Sequence, residues 1–153
     1  MTPNKEDKEG RKVAWFNMNR YYKSDATKMI KEFTVWQFEM LDKKVKKEGW
    51  TIVVDISNAG LANVDLEWLL FNIETLQSYY PLGPKYLLAV NLPLVLEATM
   101  RIIINFSNDD MKKRLKVTAK EEMPDYFKLE DIPDHLKGTS DNNLLGQIGN
   151  ILG

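Results

Sequence analysis

The chain of 153 residues contains no cysteine and a single histidine. The lack of cysteine excludes disulfide bonds and thiolate chemistry, and it is compatible with a reducing compartment. His135 lies in a polar turn without a nucleophile or carboxylate paired to it in sequence, so we expect it to have a structural or solvent-facing role. Metal-ligand spacings and the common glycine-rich or nucleophile motifs are also absent. We therefore predict a non-enzymatic protein that uses neither a metal nor a cofactor.

Long apolar runs and an excess of charge of one sign are absent as well. The longest apolar stretch, residues 92–106, is interrupted by Glu97 and Arg101 and is shorter than the roughly 20 residues that a membrane-spanning helix needs. The first ten residues are charged and lack the apolar core of a signal peptide. The net charge of −1 argues against nucleic acid as a partner. We expect one soluble, cytoplasmic domain with peripheral contact at membranes.

Strand-like and helix-like segments alternate along the chain. The predicted strands are Val13–Phe16, Trp50–Ile56, Lys85–Asn91 and Lys116–Thr118. The second and third are the most continuously apolar, which predicts central strands. The order βαβαβαβα predicts an α/β fold with a mostly parallel sheet flanked by helices. We predict a polar lead-in over residues 1–10, a domain over 11–139 and a flexible tail over 140–153.

Helical spacing and capping residues place the helices between these strands. Met29, Phe33, Trp36 and Met40 recur at helical spacing in the first helix, which Ser24 or Asp25 can cap. Asn63 or Asp65 can cap the second helix, which runs to about Tyr79. Its predicted inward residues are Leu66, Leu69, Leu70, Ile73 and Leu76. Asn108 or Asp109 can cap a short basic helix that follows.

The segment 94–106 is the most unusual part of the sequence, because its apolar residues do not fit one stripe. They are Leu94, Val95, Leu96, Met100, Ile102, Ile103, Ile104 and Phe106. A surface helix normally has a single apolar face. The additional apolar surface therefore predicts a second covering layer, a partner or a ligand.

Several charged groups allow two interpretations. The basic cluster Lys112, Lys113, Arg114 and Lys116 is either a solvated helix face or a surface for a phosphate or an anionic membrane. Glu97 and Arg101 are spaced either as a solvated helix pair or as residues at the mouth of a pocket. Asp55 ends an apolar strand, where α/β proteins often place functional groups, and its other interpretation is that it accepts hydrogen bonds from loop amides. The run Val54-Asp55-Ile56-Ser57 is similar to the STAS regulatory domain, in which a nearby hydroxyl can be phosphorylated.

A longer ordered set of motifs resembles the CRAL-TRIO family of lipid-binding domains, of the secretory phosphatidylinositol-transfer type. The matching runs are Asp7–Val13 (DKEGRKV), Ile52–Gly60 (IVVDISNAG), Tyr79–Pro81 (YYP), Leu88–Pro93 (LAVNLP) and Tyr126–Thr139. They cover residues 7–139 in the family's order. The sequence is most similar to the CRAL-TRIO part of motile sperm domain-containing proteins, especially over residues 106–139.

The resemblance implies a sheet that forms the floor of an apolar pocket, and a movable helix over it, residues 94–106, called here the gate segment. We predict binding of a lipid or other small hydrophobic ligand, with transient membrane contact and a further protein partner. The predicted ligand-binding residues are Leu87, Ala89, Asn91, Leu94, Met100, Ile103, Ile104 and Phe106. The basic cluster is predicted to contact a headgroup or the membrane.

Some positions depart from the family's pattern. Leu82-Gly83 stands where phosphatidylinositol-transfer members have an acidic and a basic residue, and Met111 and Arg114 stand where they have threonine and lysine. The family's N-terminal helical subdomain has no counterpart in the matched residues. Two alternatives therefore stay open. One is a protein-interaction scaffold that has the fold without the pocket, and the other is a STAS-like module regulated at Ser57.

Overall fold

Five strands form one sheet in a computed structural model that describes residues 5–23, 26–44 and 49–136. The strands are β1 (Lys5–Glu6), β2 (Lys12–Asn17), β3 (Trp50–Asp55), β4 (Pro84–Val90) and β5 (Leu115–Thr118). They lie in chain order, with β1 antiparallel to β2 and the other neighbours parallel. The helices are α1 (Thr27–Lys44), α2 (Leu66–Tyr79), α3 (Glu97–Phe106) and α4 (Asp109–Arg114). This confirms the predicted mostly parallel α/β fold.

The strand order places the two faces of the sheet in different surroundings. Crossover connections between parallel strands are right-handed, so strands added in one direction put the connecting helices on one face. The opposite face is covered by the C-terminal 3-10 turns Lys120–Asp125, Leu129–Asp131 and Asp134–Leu136. Met123, Phe127 and Leu136 from these segments are fully buried there. The sheet is therefore the middle of three layers.

The two most apolar strands lie in the middle of the sheet, as predicted. β3 pairs with β2 and β4, and β4 pairs with β3 and β5. Val53, Leu88 and Val90 have no exposed surface. Strands covered on both faces need apolar side chains on both sides, which explains the continuous apolar runs.

The charged residues near the N-terminus take part in the fold, although the sequence predicted a polar lead-in there. Lys5–Glu6 pairs with β2, and Asp7 is buried beside β3. Asp7 Oδ1 accepts hydrogen bonds from the backbone N–H groups of Glu9 and Arg11, and its Oδ2 accepts one from the Thr51 hydroxyl at 3.0 Å. A strand of two charged residues has no hydrophobic alternation, so the sequence pattern could not predict it.

Helix α1 buries a different face from the one marked by its large apolar residues. Thr34, Phe38 and Leu41 are buried against the sheet and α2. The predicted apolar stripe is instead exposed: Met29 by 67%, Phe33 by 55%, Trp36 by 56% and Met40 by 37%. These four residues lie on the side of α1 away from α2. The capping candidates Ser24 and Asp25, like the tail 140–153, lie outside the described residues.

For α2 and α4, the structure shows which of the two candidate residues caps the helix. Asp65 caps α2, because its Oδ1 accepts a hydrogen bond from the backbone N–H of Trp68 at 3.2 Å. Asn63 accepts from the N–H of Gly60 and closes the preceding turn. Asn108 caps α4 by accepting from the N–H of Met111 at 2.8 Å. On α2, Ile73 and Leu76 are buried as predicted, whereas Leu66, Leu69 and Leu70 are only half-buried.

Candidate functional site

An apolar cavity of about 140 Å³ lies between the sheet and its helical layer. In each strand of the floor, every second side chain points toward the helices and lines the cavity. The residues Ala14, Ile52 and Leu87 form one row across the register of β2, β3 and β4, and Phe16, Val54 and Ala89 form the next. Over these three strands each row has alanine at one end, Ala14 on β2 and Ala89 on β4, so the floor leaves space there that a larger residue would fill.

Helices α1, α2 and α3 contribute to the roof of the cavity. Phe38 comes from α1, Ile73 and Leu76 come from α2, and Met100 and Ile103 come from α3. Within the described part of the chain, no charged side chain lines the cavity. A charged group would have to lose its hydration to enter such a site, so the cavity suits an apolar or neutral occupant.

The gate segment has an inner and an outer apolar side, which explains its unusual composition. Leu96, Met100 and Ile103 are buried and line the cavity. On the outer side, the large side chains Leu94, Val95, Ile102 and Phe106 are exposed by 81%, 53%, 46% and 44%. The inner side is covered by the cavity's other walls, whereas no described residue covers the outer side to the same degree.

The predicted ligand-binding residues therefore separate into three groups. Four of them, Leu87, Ala89, Met100 and Ile103, come together at the cavity. Ile104 is half-buried beside Met18 and Ile56 without lining it. Leu94 and Phe106 point outward, and Asn91 lies outside the cavity in a polar network at the strand ends. Their contact with a ligand stays a prediction.

Sequence analysis missed the contributions of α1, α2 and β2 to the cavity. Phe16 and Ala14 alternate with the buried residues Val13 and Trp15 on β2, and this alternation was the available signal. The polar residues on the inner sides of the helices were the other signal. Thr34, Gln37, Asn72 and Thr99 line an otherwise apolar space.

These polar groups differ in how well they are hydrogen-bonded. The Thr34 hydroxyl donates to the Ile30 carbonyl at 2.8 Å and accepts from the Trp68 indole N–H at 3.1 Å. The Asn72 amide nitrogen donates to the Trp68 carbonyl at 2.9 Å. The Asn72 Oδ1 atom, however, is buried, and no group among the described residues donates to it. An unpaired buried acceptor is unusual because it loses water without compensation.

Trp68 is held in place from the side opposite the cavity. Its ring stacks on Tyr21 with centroids 4.8 Å apart, and the Tyr21 hydroxyl donates to Asp65 Oδ2 at 3.1 Å. Burial, together with the Asp65 carboxylate, raises the pKa of Tyr21 to about 12. The phenol therefore stays protonated and keeps this hydrogen bond over the physiological pH range.

A polar network at the carboxyl ends of β3 and β4 is the other concentration of functional groups. Asp55 accepts from the backbone N–H of Ser57 at 3.0 Å, as predicted, and its second oxygen lies 2.6 Å from His135 Nε2. Asn91 donates to the Ser57 hydroxyl at 3.0 Å and accepts from the N–H of Lys120 at 3.2 Å. The network ties the C-terminal turns to the sheet, and His135 takes part in it through Asp55.

The basic cluster is only partly available to a ligand or membrane. Lys112, Lys113 and Lys116 are exposed. Arg114 is half-buried, and its guanidinium lies 2.9 Å from Asp110 and donates to the Pro84 carbonyl at 3.0 Å. Glu97 and Arg101 form the expected exposed pair at 3.9 Å.

The described residues contain neither a membrane-spanning helix nor a metal-binding cluster. None of their helices combines the length and the hydropathy needed to cross a bilayer. No group of three or more His, Asp or Glu side chains in these ranges is arranged to hold a metal ion.

Comparison with known proteins connects this architecture to a family. The crystal structure of Sfh5 matches with a TM-score of 0.63 at 17% sequence identity, over 78% of this chain and 48% of the Sfh5 chain. This likeness supports the fold, and the chain spans about half the length of Sfh5. The CRAL/TRIO domain model matches residues 1–138, which include every strand, the helical layer and the cavity. The chain therefore belongs to the CRAL/TRIO domain family.

Proposed function

We propose that the chain binds a lipid or another small hydrophobic ligand in the cavity between the sheet and helices α1, α2 and α3. The observation that carries this proposal is the uncharged cavity itself, whose lining comes from the sheet and from helices α1, α2 and α3. Membership in the CRAL/TRIO family supports the same class of ligand. Burial of apolar ligand surface would provide the binding free energy, at roughly 25 cal/mol per Å².

The size of the cavity implies that its roof moves when a lipid enters. Pockets for small-molecule ligands typically have about 300–1,000 Å³, and an engineered cavity of about 150 Å³ holds benzene. The cavity of about 140 Å³ therefore accommodates one ring or a short part of a chain. The gate segment is the proposed moving part, because its inner side lines the cavity and its outer side offers apolar surface to a membrane or ligand.

Native mass spectrometry and lipid extraction of the purified chain test this proposal. We expect a bound hydrophobic molecule, or uptake of a fluorescent fatty acid or phospholipid from donor vesicles. A folded protein that is always empty and takes up neither probe would contradict the proposal. Phosphatidylinositol and phosphatidylcholine should be compared, because Met111 and Arg114 replace two headgroup positions of the phosphatidylinositol-transfer pattern.

Membrane contact is a second part of the same proposal. Leu94, Val95 and Ile102 would enter the interface, while exposed Lys112, Lys113 and Lys116 would contact anionic headgroups. The contribution of Arg114 to a headgroup site is proposed to be small, because Asp110 and the Pro84 carbonyl already bind its guanidinium. The similarity to motile sperm domain-containing proteins remains a hypothesis of the same kind.

A protein-interaction scaffold is the second candidate function. Two observations favour it: the cavity is small, and Met29, Phe33, Trp36 and Met40 form an exposed stripe with the 4-3-4 spacing of a coiled-coil seam. Light scattering across a concentration series would show self-association, and it should be lost in Phe33→Ser/Trp36→Ser. A monomer that takes up lipid would favour the first proposal. The family assignment leaves the STAS-like interpretation of Ser57 without support.

A further inference from the structure

The buried oxygen of Asn72 indicates what kind of hydrophobic ligand the cavity prefers. Asn72 lines the cavity from α2, and its Oδ1 has no donor among the described residues. The orientation of the amide is fixed by its nitrogen, which donates to the Trp68 carbonyl at 2.9 Å. The reversed amide would place two oxygens against each other, so the unpaired atom is an acceptor.

A small group of polar side chains surrounds Asn72. One helical turn earlier, Trp68 of α2 donates to Thr34 of α1 at 3.1 Å. Both helices connect parallel strands and run in the same direction, so one further turn brings Gln37 of α1 to the level of Asn72. Gln37 also lines the cavity. The polar groups are thus concentrated where α1 and α2 meet, while the floor is entirely apolar.

We propose that Asn72 is a specificity-determining residue that accepts a hydrogen bond from a neutral hydroxyl of an otherwise apolar ligand. This inference rests on the proposed ligand-binding function and names its ligand class as lipid alcohols. A carboxylate or phosphate would meet an acceptor oxygen and no cation in the described lining, so a charged headgroup does not fit at this point. A pure hydrocarbon would leave the oxygen unpaired.

Toluene and phenol form a matched pair of probes, because they have nearly the same shape and differ by a methyl and a hydroxyl group. Both are similar in size to benzene, which a cavity of this volume holds. Calorimetry would give the ratio of their dissociation constants for the wild-type chain and for Asn72→Leu. We expect the ratio to shift toward toluene by about threefold to tenfold in the variant, since one neutral hydrogen bond is lost.

Thr75→Val provides the control, because Thr75 is a buried polar residue of the same helix that does not line the cavity. It should leave the phenol-to-toluene ratio unchanged. Asn72→Ala repeats the test with a good helix former if the leucine variant folds poorly. Thermal unfolding of the ligand-free chain adds an independent measurement. Removing an unpaired buried acceptor should raise the melting temperature of Asn72→Leu, whereas loss of a structural hydrogen bond would lower it.

The outcomes separate this inference from the function on which it rests. If both probes bind but the ratio is the same in wild type and Asn72→Leu, the cavity binds ligands and the role of Asn72 is wrong. The same conclusion follows if Thr75→Val shifts the ratio equally. If neither probe binds and no lipid is taken up, the proposed function itself fails. After a positive result, a matched comparison of hexadecanol with hexadecane would extend the test to lipid-sized molecules.

Discussion

The two faces of the same strands are packed in opposite ways. On the face covered by the C-terminal turns, Val13, Val53 and Leu88 point into a filled core. Phe127 and Leu136 of that core have no exposed surface. On the face covered by helices, the next residues of the same strands border a cavity. The difference lies in side-chain size and in the covering layer, and the proposed ligand binding would involve only the face that borders the cavity.

The alternation of side chains along each strand explains how the same strands border a filled core on one face and a cavity on the other. Successive residues point to opposite faces, so each strand can change one face without changing the other. In β2, large Trp15 faces the filled side and small Ala14 faces the cavity. In β4, Leu88 faces the filled side and Ala89 faces the cavity. Substitutions on the two faces should therefore separate folding from binding.

The largest expected effect is on the filled face. Phe127→Ala should lower the free energy of unfolding by about 3–5 kcal/mol, because it leaves a cavity where the ring packs 5.4 Å from Trp15. Urea unfolding followed by tryptophan fluorescence measures this loss. Lipid uptake per folded molecule should stay at the wild-type level. A loss of uptake in the folded fraction would show that the two faces are coupled.

The next expected effect compares the two sides of the gate segment. Ile103→Asp places a charge at the cavity and should reduce ligand affinity at least tenfold, because burial of an unpaired carboxylate is costly. Ile102→Asp is the matched control on the outer side, where the side chain is 46% exposed. It should leave affinity nearly unchanged. Fluorescent-lipid titration and thermal unfolding are measured together. Equal loss of binding and stability in Ile103→Asp would mean that Ile103 is only a core residue.

A smaller effect comes from filling the cavity without adding charge. Ala89→Leu should reduce ligand uptake several-fold while changing the free energy of unfolding by less than about 1.5 kcal/mol, since empty space is available above this residue. The matched change on the filled face is Val53→Leu, which should cost about 1–3 kcal/mol through overpacking and leave uptake intact. If Ala89→Leu is the more destabilising change, the space above Ala89 is smaller than the structure shows.

The fold was largely predictable because strand burial leaves a strong pattern. Trp50–Ile56 and Lys85–Asn91 are apolar on both sides, and only a central strand has that requirement. The site was less predictable. Which side of a helix faces the core depends on its neighbours, so the large residues of α1 suggested one face while Thr34 and Phe38 are buried on another. Thr34 lies on the buried face, where its hydroxyl accepts a hydrogen bond from Trp68, a residue distant in sequence.

The gate segment shows the same limit. Its excess of apolar residues predicts a cover on a second side, and this stays a prediction because that side is exposed in the structure. The sequence could not separate Met100 and Ile103, which line the cavity, from Leu94 and Phe106, which are exposed. The sequence predicts Asn91 at the pocket because it alternates with Leu87 and Ala89 in the predicted strand Lys85–Asn91. A positive φ of 59° instead turns the chain there, and its side chain bonds Ser57.

The last expected effect is electrostatic and concerns the helix-covered side of the molecule. Each lysine near an anionic membrane contributes about 1 kcal/mol, and salt weakens this attraction. Lys112→Glu/Lys113→Glu should therefore reduce co-sedimentation with phosphatidylserine vesicles and leave uptake from neutral vesicles unchanged. Arg114 is not substituted, because the loss of its bonds to Asp110 and the Pro84 carbonyl would change stability as well as membrane docking. Lys128→Glu is the control, an exposed lysine on the turns that cover the filled face. If it weakens docking as much as the double change, the attraction is general and the helix-covered side has no special role at the membrane.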